Sequence, residues 1–328
     1  MRYLQSSSTN PYWNLALEQY VFDNLSPKED YFMLWQNDNA IIVGKHQNTA
    51  AEINAAFVKE QDIKVVRRLS GGGAVYHDLG NLNFTFIADS EGAGFDFSTF
   101  CRPVVNALKT LGVHAQISGR NDMTIDGKKF SGNAMYKKRG RVMHHGTLMF
   151  DSNLQILSKA LIVPKDKIES KGIKSVRSRV TNILPYMKEE RPISVLIDAL
   201  CKFMDGEYGL DPYSFTDDDR KAVQTLCDNR YSSWDWNYGK SPKYSIQKSR
   251  RVEGCGKIEL FLDIQGERIK AISCYGDFFG DGELSELSAD LKDCPMREAD
   301  IRSALKGVSI DQYVHNLSNE EFIAILLS

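Results

Sequence analysis

The chain has 328 residues, 42% of them hydrophobic and 26% charged, which is enough to bury a substantial core in more than one folding unit. A formal net charge of −2 argues against bulk nucleic-acid binding, which calls for a strongly basic face. No apolar run approaches the roughly 18 residues that cross a bilayer, and Met1–Ser6 lacks a signal peptide's apolar core, so a cytoplasmic protein with no membrane association is expected. The six cysteines show no Cys-x-x-Cys spacing and read as free thiols.

Asn10-Pro11 suits a helix start, and Trp13, Ala16, Leu17, Tyr20 and Val21 then recur at helical spacing. Strands are predicted over Tyr31–Gln36 and Ala40–Gly44. Next comes the most informative stretch, Val65 to Phe84, in which a strand delivers Arg67, Arg68 and Ser70-Gly71-Gly72-Gly73 into another strand. Three glycines permit φ > 0 and close backbone approach, so N–H groups can converge on an anion, and the two arginines add permanent charge at the same rim. A phosphate cradle is the reading, although a triple glycine alone would also suit a mobile surface turn. The loop matches neither a P-loop nor a G-x-G-x-x-G turn. Leu82, Phe84, Phe86 and Ala88 alternate with Asn83, Thr85 and Ile87, the pattern of a strand with one core face.

Phe100, Val104, Leu108 and Leu111 make a helical stripe over Phe97–Leu111, with Pro103 expected to bend the helix or mark its start and Cys101 read as core. Asp126-Gly127 is a strong hairpin signal. Counting back from it pairs Ile125 with Lys128, Thr124 with Lys129, Met123 with Phe130 and Asp122 with Ser131. Alternation then places Asp122, Thr124, Lys129 and Ser131 on one polar face, read as a site, with a solvated surface as the competing reading. Arg141–Phe150 reads as a strand whose adjacent His144 and His145 point to opposite faces and so cannot easily share a metal; one is expected in the core and the other at the site. Helices follow at Asn153–Leu161, Ile193–Met204 and Thr216–Cys227, with a basic run over Lys165–Arg179 that suits an anionic intermediate or an acidic partner. A boundary is placed near residue 247, dividing the chain into 1–247 and 248–328. The second part carries strands at Arg251–Ile264 and Arg268–Tyr275 followed by short helices, a small α+β domain.

Several segments together resemble lipoate–protein ligases: Arg67-Arg68-x-Ser70-Gly71-Gly72-Gly73-Ala74-Val75-Tyr76-His77-Asp78-x-Gly80-Asn81, Gly119-Arg120-Asn121-Asp122, Lys129-x-Ser131-Gly132, His144-His145-Gly146-Thr147-Leu148 and Ser175 to Val180. The resemblance runs from the N-terminal helix through the C-terminal domain. It implies an α/β catalytic fold, a mixed and largely antiparallel sheet flanked by helices, related to biotin ligases and class II aminoacyl-tRNA synthetases, plus a small accessory domain. It implies activation of lipoate by ATP and Mg²⁺ to lipoyl-AMP, then transfer to a lysine of a lipoyl domain of a 2-oxoacid dehydrogenase E2 subunit or of glycine-cleavage H protein.

By the same resemblance Lys129 is catalytic. Arg68, Gly73, Ala74, Val75, Tyr76 and Lys129 hold ATP. Arg68, Ser70, Gly73, Val75, His77, Asn81, Asn121, Lys129 and His145 meet lipoate or lipoyl-AMP, and Asp122 meets the metal. The main alternative is an ATP-independent octanoyl- or lipoyl-transferase of the same fold, which would need a nucleophilic cysteine.

Overall fold

The computed structural model describes residues 1–89, 96–119, 121–162, 179–239 and 246–328. By packing, the chain forms two units. The first comprises Met1–Val43, Ala50–Leu69 and Ala74–Asn237; the second comprises Gly44–Thr49, Ser70–Gly73 and Tyr238–Ser328. The sequence reading puts the boundary near 247 and both short loops in the first domain. Of the basic run, Lys165 to Arg177 lie outside the described residues, as does Arg120.

In the first unit, the helix α1 (Pro11–Asn24) starts where expected: the Asn10 side chain accepts from Tyr12 N at 3.0 Å and Pro11 occupies the first turn. Its burial differs from the expected stripe. Trp13 and Tyr20 are only half-buried, while Asn14 and Glu18 are buried together with Leu15, Ala16, Leu17, Val21 and Phe22. The strands are β1 (Arg2–Gln5), β2 (Tyr31–Trp35), β3 (Ala40–Val43), β4 (Lys64–Arg67), β5 (Val75–His77), β6 (Asn81–Asp89), β7 (Gln116–Ser118), β8 (Asp122–Ile125), β9 (Lys128–Lys138), β10 (Arg141–Met149) and β11 (Asp211–Pro212). Eight of them form one sheet in the order β11-β1-β2-β6-β10-β9-β8-β7, parallel only around β1, and a small second sheet runs β4-β3-β5.

Strand β6 is central, paired antiparallel to β2 and β10, and both its faces are buried, which corrects the expectation of a single core face. Phe84 and Phe86 pack on the face covered by helix Ser98–Thr110, where Phe86 lies 5.6 Å from Phe100 and 5.0 Å from Phe32 between ring centroids. The alternate residues Asn81, Asn83 and Thr85 line the other face and are equally buried. A buried face that is polar needs partners, and part of this one is satisfied internally: Asn81 Nδ2 donates to Asn83 Oδ1 at 2.9 Å and Trp35 Nε1 to Thr85 Oγ1 at 2.9 Å. Helix Ser98–Thr110 begins five residues before Pro103, so the proline lies inside it rather than at its start.

The β8–β9 hairpin turns at Asp126 (φ 50°) and Gly127 (φ 74°), the left-handed pair expected of its turn. Ile125 pairs with Lys128 and Thr124 with Lys129 as counted. Beyond that the register slips, so Met123 pairs with Ser131 and Asp122 with Gly132. Phe130 is the extra residue of a β-bulge, and bulges of this kind cannot be counted from a turn outward. Ser131 therefore leaves the polar face and is fully buried.

In the second unit, β12 (Ile246–Val252), β13 (Gly256–Gln265) and β14 (Arg268–Gly276) form an antiparallel meander. The single strand expected over Arg251–Ile264 is broken by a turn at 253–255, which contains Gly254 (φ 72°) and is followed by Gly256 (φ 136°). The meander packs with helices Leu284–Asp290, Glu298–Ala304 and Asn319–Leu327 around Leu260, Leu262, Phe278, Leu291, Phe322 and Leu326.

The glycine loop belongs to this second unit, and its three glycines have different reasons to be there. A Cβ on Gly71 would lie 2.3 Å from the Phe278 carbonyl oxygen; Gly72 has φ 88° and donates its N–H to that same oxygen at 3.1 Å. Gly73 meets neither constraint: no described atom comes within 4 Å of its Cβ position. Two of the three glycines thus serve internal packing, a correction to the cradle as read from sequence. Ser70, buried in the same loop, accepts from Lys45 N through its carbonyl at 2.8 Å.

Candidate active site

The polar face of the large sheet carries the expected lysine. Lys129 Nζ lies 2.6 Å from Asp122 Oδ1, and each side chain is 36% exposed. The bulge sets Gly132, in place of Ser131, beside this pair. Lys129 shares a face with Thr124, and Gly132 shares one with Asp122, two residues along from Thr124, so Lys129 and Gly132 face the same way although three residues apart. In an unbulged strand they would face opposite ways. Gly132 also leaves the room: a Cβ there would stand 3.0 Å from Lys129 Nζ and 3.2 Å from its Cε. The Lys129 backbone is held as well, bridging in parallel to Val180 and accepting from Thr181 N at 2.8 Å.

Gly132→Ala is therefore expected to fold, since Gly132 is not in the left-handed region, but to push the ammonium off Asp122. The activity proposed below should fall by roughly 10–10²-fold for a displacement of this size. Unchanged turnover with an unchanged melting temperature would show that the position of the ammonium is not critical.

The two arginines divide their work, because neighbours at a strand end point apart. Arg67 is structural: its Nε donates to Trp236 O at 2.9 Å and its Nη2 to Asn237 O at 3.1 Å, while Trp236 Nε1 donates back to Arg67 O. That corrects its placement at an anion rim. Arg68 is buried, with Nη1 donating to Ile42 O at 3.2 Å. Burial lowers its pKa to about 10, with Glu18 opposing and Arg67 adding, so it stays cationic at neutral pH.

Around Arg68 lies a cluster that includes a residue not singled out from sequence. Glu18, 2% exposed, accepts from His145 Nδ1 at 2.8 and 3.0 Å and from Thr85 Oγ1 at 2.6 Å. The available signal was Asn14 and Glu18, one turn apart on either side of the apolar run Leu15-Ala16-Leu17. His77 is buried beside Trp35, its Nδ1 accepting from Asn37 Nδ2 at 3.1 Å, which leaves the proton on Nε2. Burial, with Arg68 and His145 adding, drops the His77 pKa to about 3, so the ring is neutral. Its Nε2 and Asn81 Oδ1 have no partner among the described residues, one an unmet donor and the other an unmet acceptor. Such groups cost ~1–3 kcal/mol each when left dry, which suits positions that meet water or a polar ligand.

The remaining expected residues are spread more widely. Val75 is half-exposed on β5 and packs against the apolar cluster around α1, and Ala74 precedes it. Tyr76 is buried with its hydroxyl donating to Asn39 Oδ1 at 3.1 Å, so its side chain is already engaged. Asn121 Nδ2 donates to Asn133 O at 2.6 Å. His144 takes the core place expected for one histidine of the pair, among Phe84, Phe97 and Phe100.

Residues 10–205 match the family described as lipoyl protein ligase A/B catalytic domain, and residues 241–326 match the bacterial lipoate protein ligase C-terminus. A lipoate-protein ligase of Bacillus subtilis (strain 168) is 43% identical over 331 residues, covering 99% of this chain and 100% of that protein. The chain belongs to the lipoate–protein ligase family. Among solved structures, a P. falciparum protein in complex with lipoate superposes with a TM-score of 0.78 at 28% identity, covering 100% of this chain and 98% of that one. A bipartite lipoate protein ligase of Thermoplasma acidophilum, described with its E2 lipoyl domain, gives 0.66 at 29% identity over 75% and 98% of the two chains. A lipoate-protein ligase A bound with ATP gives 0.62 at 25% identity over 73% and 98%.

In this ligase Cys101 is fully buried, its Sγ 3.9 Å from His144 Nε2. Burial pushes the thiol up to about 12 and, with His145 adding, holds His144 down to about 3. The pair is therefore neutral, and a transferase nucleophile has to be a thiolate. For a metal, no group of three or more His, Cys, Asp or Glu side chains is arranged to hold one among the described residues. Mg²⁺ commonly binds through one or two carboxylates plus substrate phosphates, so the ligase's Asp122, partly exposed and beside Lys129, fits an ion carried on a triphosphate. No helix among the described residues is long and apolar enough to cross a membrane.

Proposed function

We propose that this ligase activates lipoate with ATP and then lipoylates a lysine on a lipoyl domain or on H protein. In the first half-reaction a lipoate carboxylate oxygen attacks the α-phosphorus, the bond to the β-phosphate bridge breaks, and pyrophosphate leaves. In the second, the acceptor's ε-amine attacks the acyl carbon, the amine loses a proton, and AMP leaves. The observation that carries this reading is the Lys129–Asp122 pair on the polar face of the sheet. A fixed ammonium between two anionic reactants offsets their repulsion and the charge that builds in the transition state. Arg68, cationic in a buried setting, is the second candidate for the carboxylate or α-phosphate. His77 Nε2 and Asn81 Oδ1 supply a donor and an acceptor for lipoate or its adenylate, and Asn121, Val75 and His145 are further lining candidates. Mg²⁺ at Asp122 would neutralise the leaving pyrophosphate. The ATP-bound, lipoate-bound and lipoyl-domain relatives support the choice of reactants.

The test is incubation of purified protein with lipoate, ATP, Mg²⁺ and an apo lipoyl domain, followed by intact mass. Acceptor mass should rise by one lipoyl group only when ATP is present, with stoichiometric pyrophosphate. Full modification from an acyl-carrier thioester in the absence of ATP would sink the proposal.

A further inference from the structure

We infer that Asn133, pinned by His144 on the opposite face of the sheet, is a positioning residue that sets where the Lys129 ammonium stands; this rests on the activity just proposed. Asn133 is almost fully buried, and three features are built around it. It closes the open end of the bulged hairpin twice through the backbone: its N–H donates to Asn121 O at 2.9 Å, and its carbonyl accepts from Asn121 Nδ2 at 2.6 Å. Its side-chain Nδ2 reaches Asn121 O and Ser131 Oγ, each at 3.2 Å. Its Oδ1 is met by His144 Nε2 at 3.1 Å, and it fills space that Gly146, its cross-strand neighbour, leaves by lacking a side chain: a Cβ on Gly146 would lie 2.2 Å from that oxygen.

His144 in turn cannot drift. Its ring lies 5.7 Å from Phe84, 5.7 Å from Phe97 and 5.1 Å from Phe100 between centroids. Because an amide oxygen only accepts, His144 must carry its proton on Nε2.

The residues fixed in this way are the ones that flank the bulge. Asn121 precedes Asp122, Ser131 follows the extra Phe130, and Asn133 follows Gly132. A bulge is a place where a strand can slip by one residue, and a slip here would set Ser131 opposite Asp122 in place of Gly132, putting a side chain where the Lys129 ammonium now stands. The Asn133 clamp removes that freedom from the core side of the sheet and touches no reactant. It lies on the Ser131 face, whereas Lys129 and Gly132 lie on the other.

His144→Leu removes the donor and keeps an apolar side chain in the cage; His144→Gln restores an Nε2–H near the same place. His144→Leu should lower the turnover number for lipoate-dependent pyrophosphate release by roughly 10–10²-fold, the cost of misplacing a catalytic group by about 1 Å, with the KM values for lipoate and ATP little changed. His144→Gln should recover most of it. In a Lys129→Ala background His144→Leu should have no further effect, since a residue that acts only through Lys129 has nothing left to act on. An independent readout is the ¹³Cε-lysine NMR signal that disappears in Lys129→Ala: it should shift in His144→Leu and return in His144→Gln. Should His144→Leu not fold, Asn133→Ser leaves the aromatic cage intact and gives the same comparisons. A full His144→Leu effect in the Lys129→Ala background, or an unmoved Lys129 signal, overturns the inference. If the wild-type protein releases no pyrophosphate, the activity reading fails, and the NMR comparison still decides whether the clamp governs Lys129.

Discussion

Lys129→Ala is expected to slow lipoate-dependent pyrophosphate release by about 10²–10³-fold, the range seen when one preorganised donor to a developing oxyanion is removed. The expectation rests on where the ammonium stands: 2.6 Å from Asp122, over Gly132, with its backbone held by Thr181. Lys128, exposed and paired with Ile125 on the other face, should tolerate alanine with little loss. Lys129→Arg should also fail, because the planar fork is larger than the compact ammonium and the space above Gly132 accommodates the smaller group. Release rates at saturating lipoate for the three variants make the comparison. Equal losses at Lys128 and Lys129 would contradict the facing described here, and a covalent lipoyl adduct trapped on Lys129 would replace electrostatic stabilisation with a nucleophilic mechanism.

Glu18→Ala should be the most damaging single change to stability in the first unit. The carboxylate is buried, accepts from His145 and Thr85, and is a nearby counter-charge for the buried Arg68. Deleting one partner of a buried charged pair leaves the other uncompensated, at a typical cost of about 3–5 kcal/mol. Glu18→Gln, which keeps the shape and an acceptor but not the charge, should lose less. Urea unfolding followed by tryptophan fluorescence measures both; Trp35, tied through Thr85 to Glu18, reports on the region directly. A Glu18→Ala midpoint equal to wild type would mean that the buried cation is balanced by some other group.

Much of this molecule was legible because its signals are local. The helix start at Asn10-Pro11, the turn at Asp126-Gly127 and the strands β6 and β10 depend on neighbours one to four residues away, and each appears where the local rule places it. The ligase family was legible too, from motifs whose residues lie close together in the chain. The paired charges of Lys129 and Asp122 followed from a turn and an alternation rule, although the pairing beyond Thr124 did not.

What tertiary structure decided was which of several similar residues does which task. Arg67 and Arg68 are indistinguishable in sequence, and only the position of Trp236 and Asn237, some 170 residues on, commits the first to carbonyls and leaves the second buried near Glu18. The same holds for the glycines, of which two answer to the carbonyl of Phe278 and the third does not. The bulge at Phe130 is a further case, since one extra residue shifts every facing beyond it and is held by contacts from outside the hairpin, that of His144 with Asn133 among them. Local chemistry determines which elements form. The number of donors, acceptors and ångströms available at a position depends on distant chain segments, and it is this that determines a residue's role.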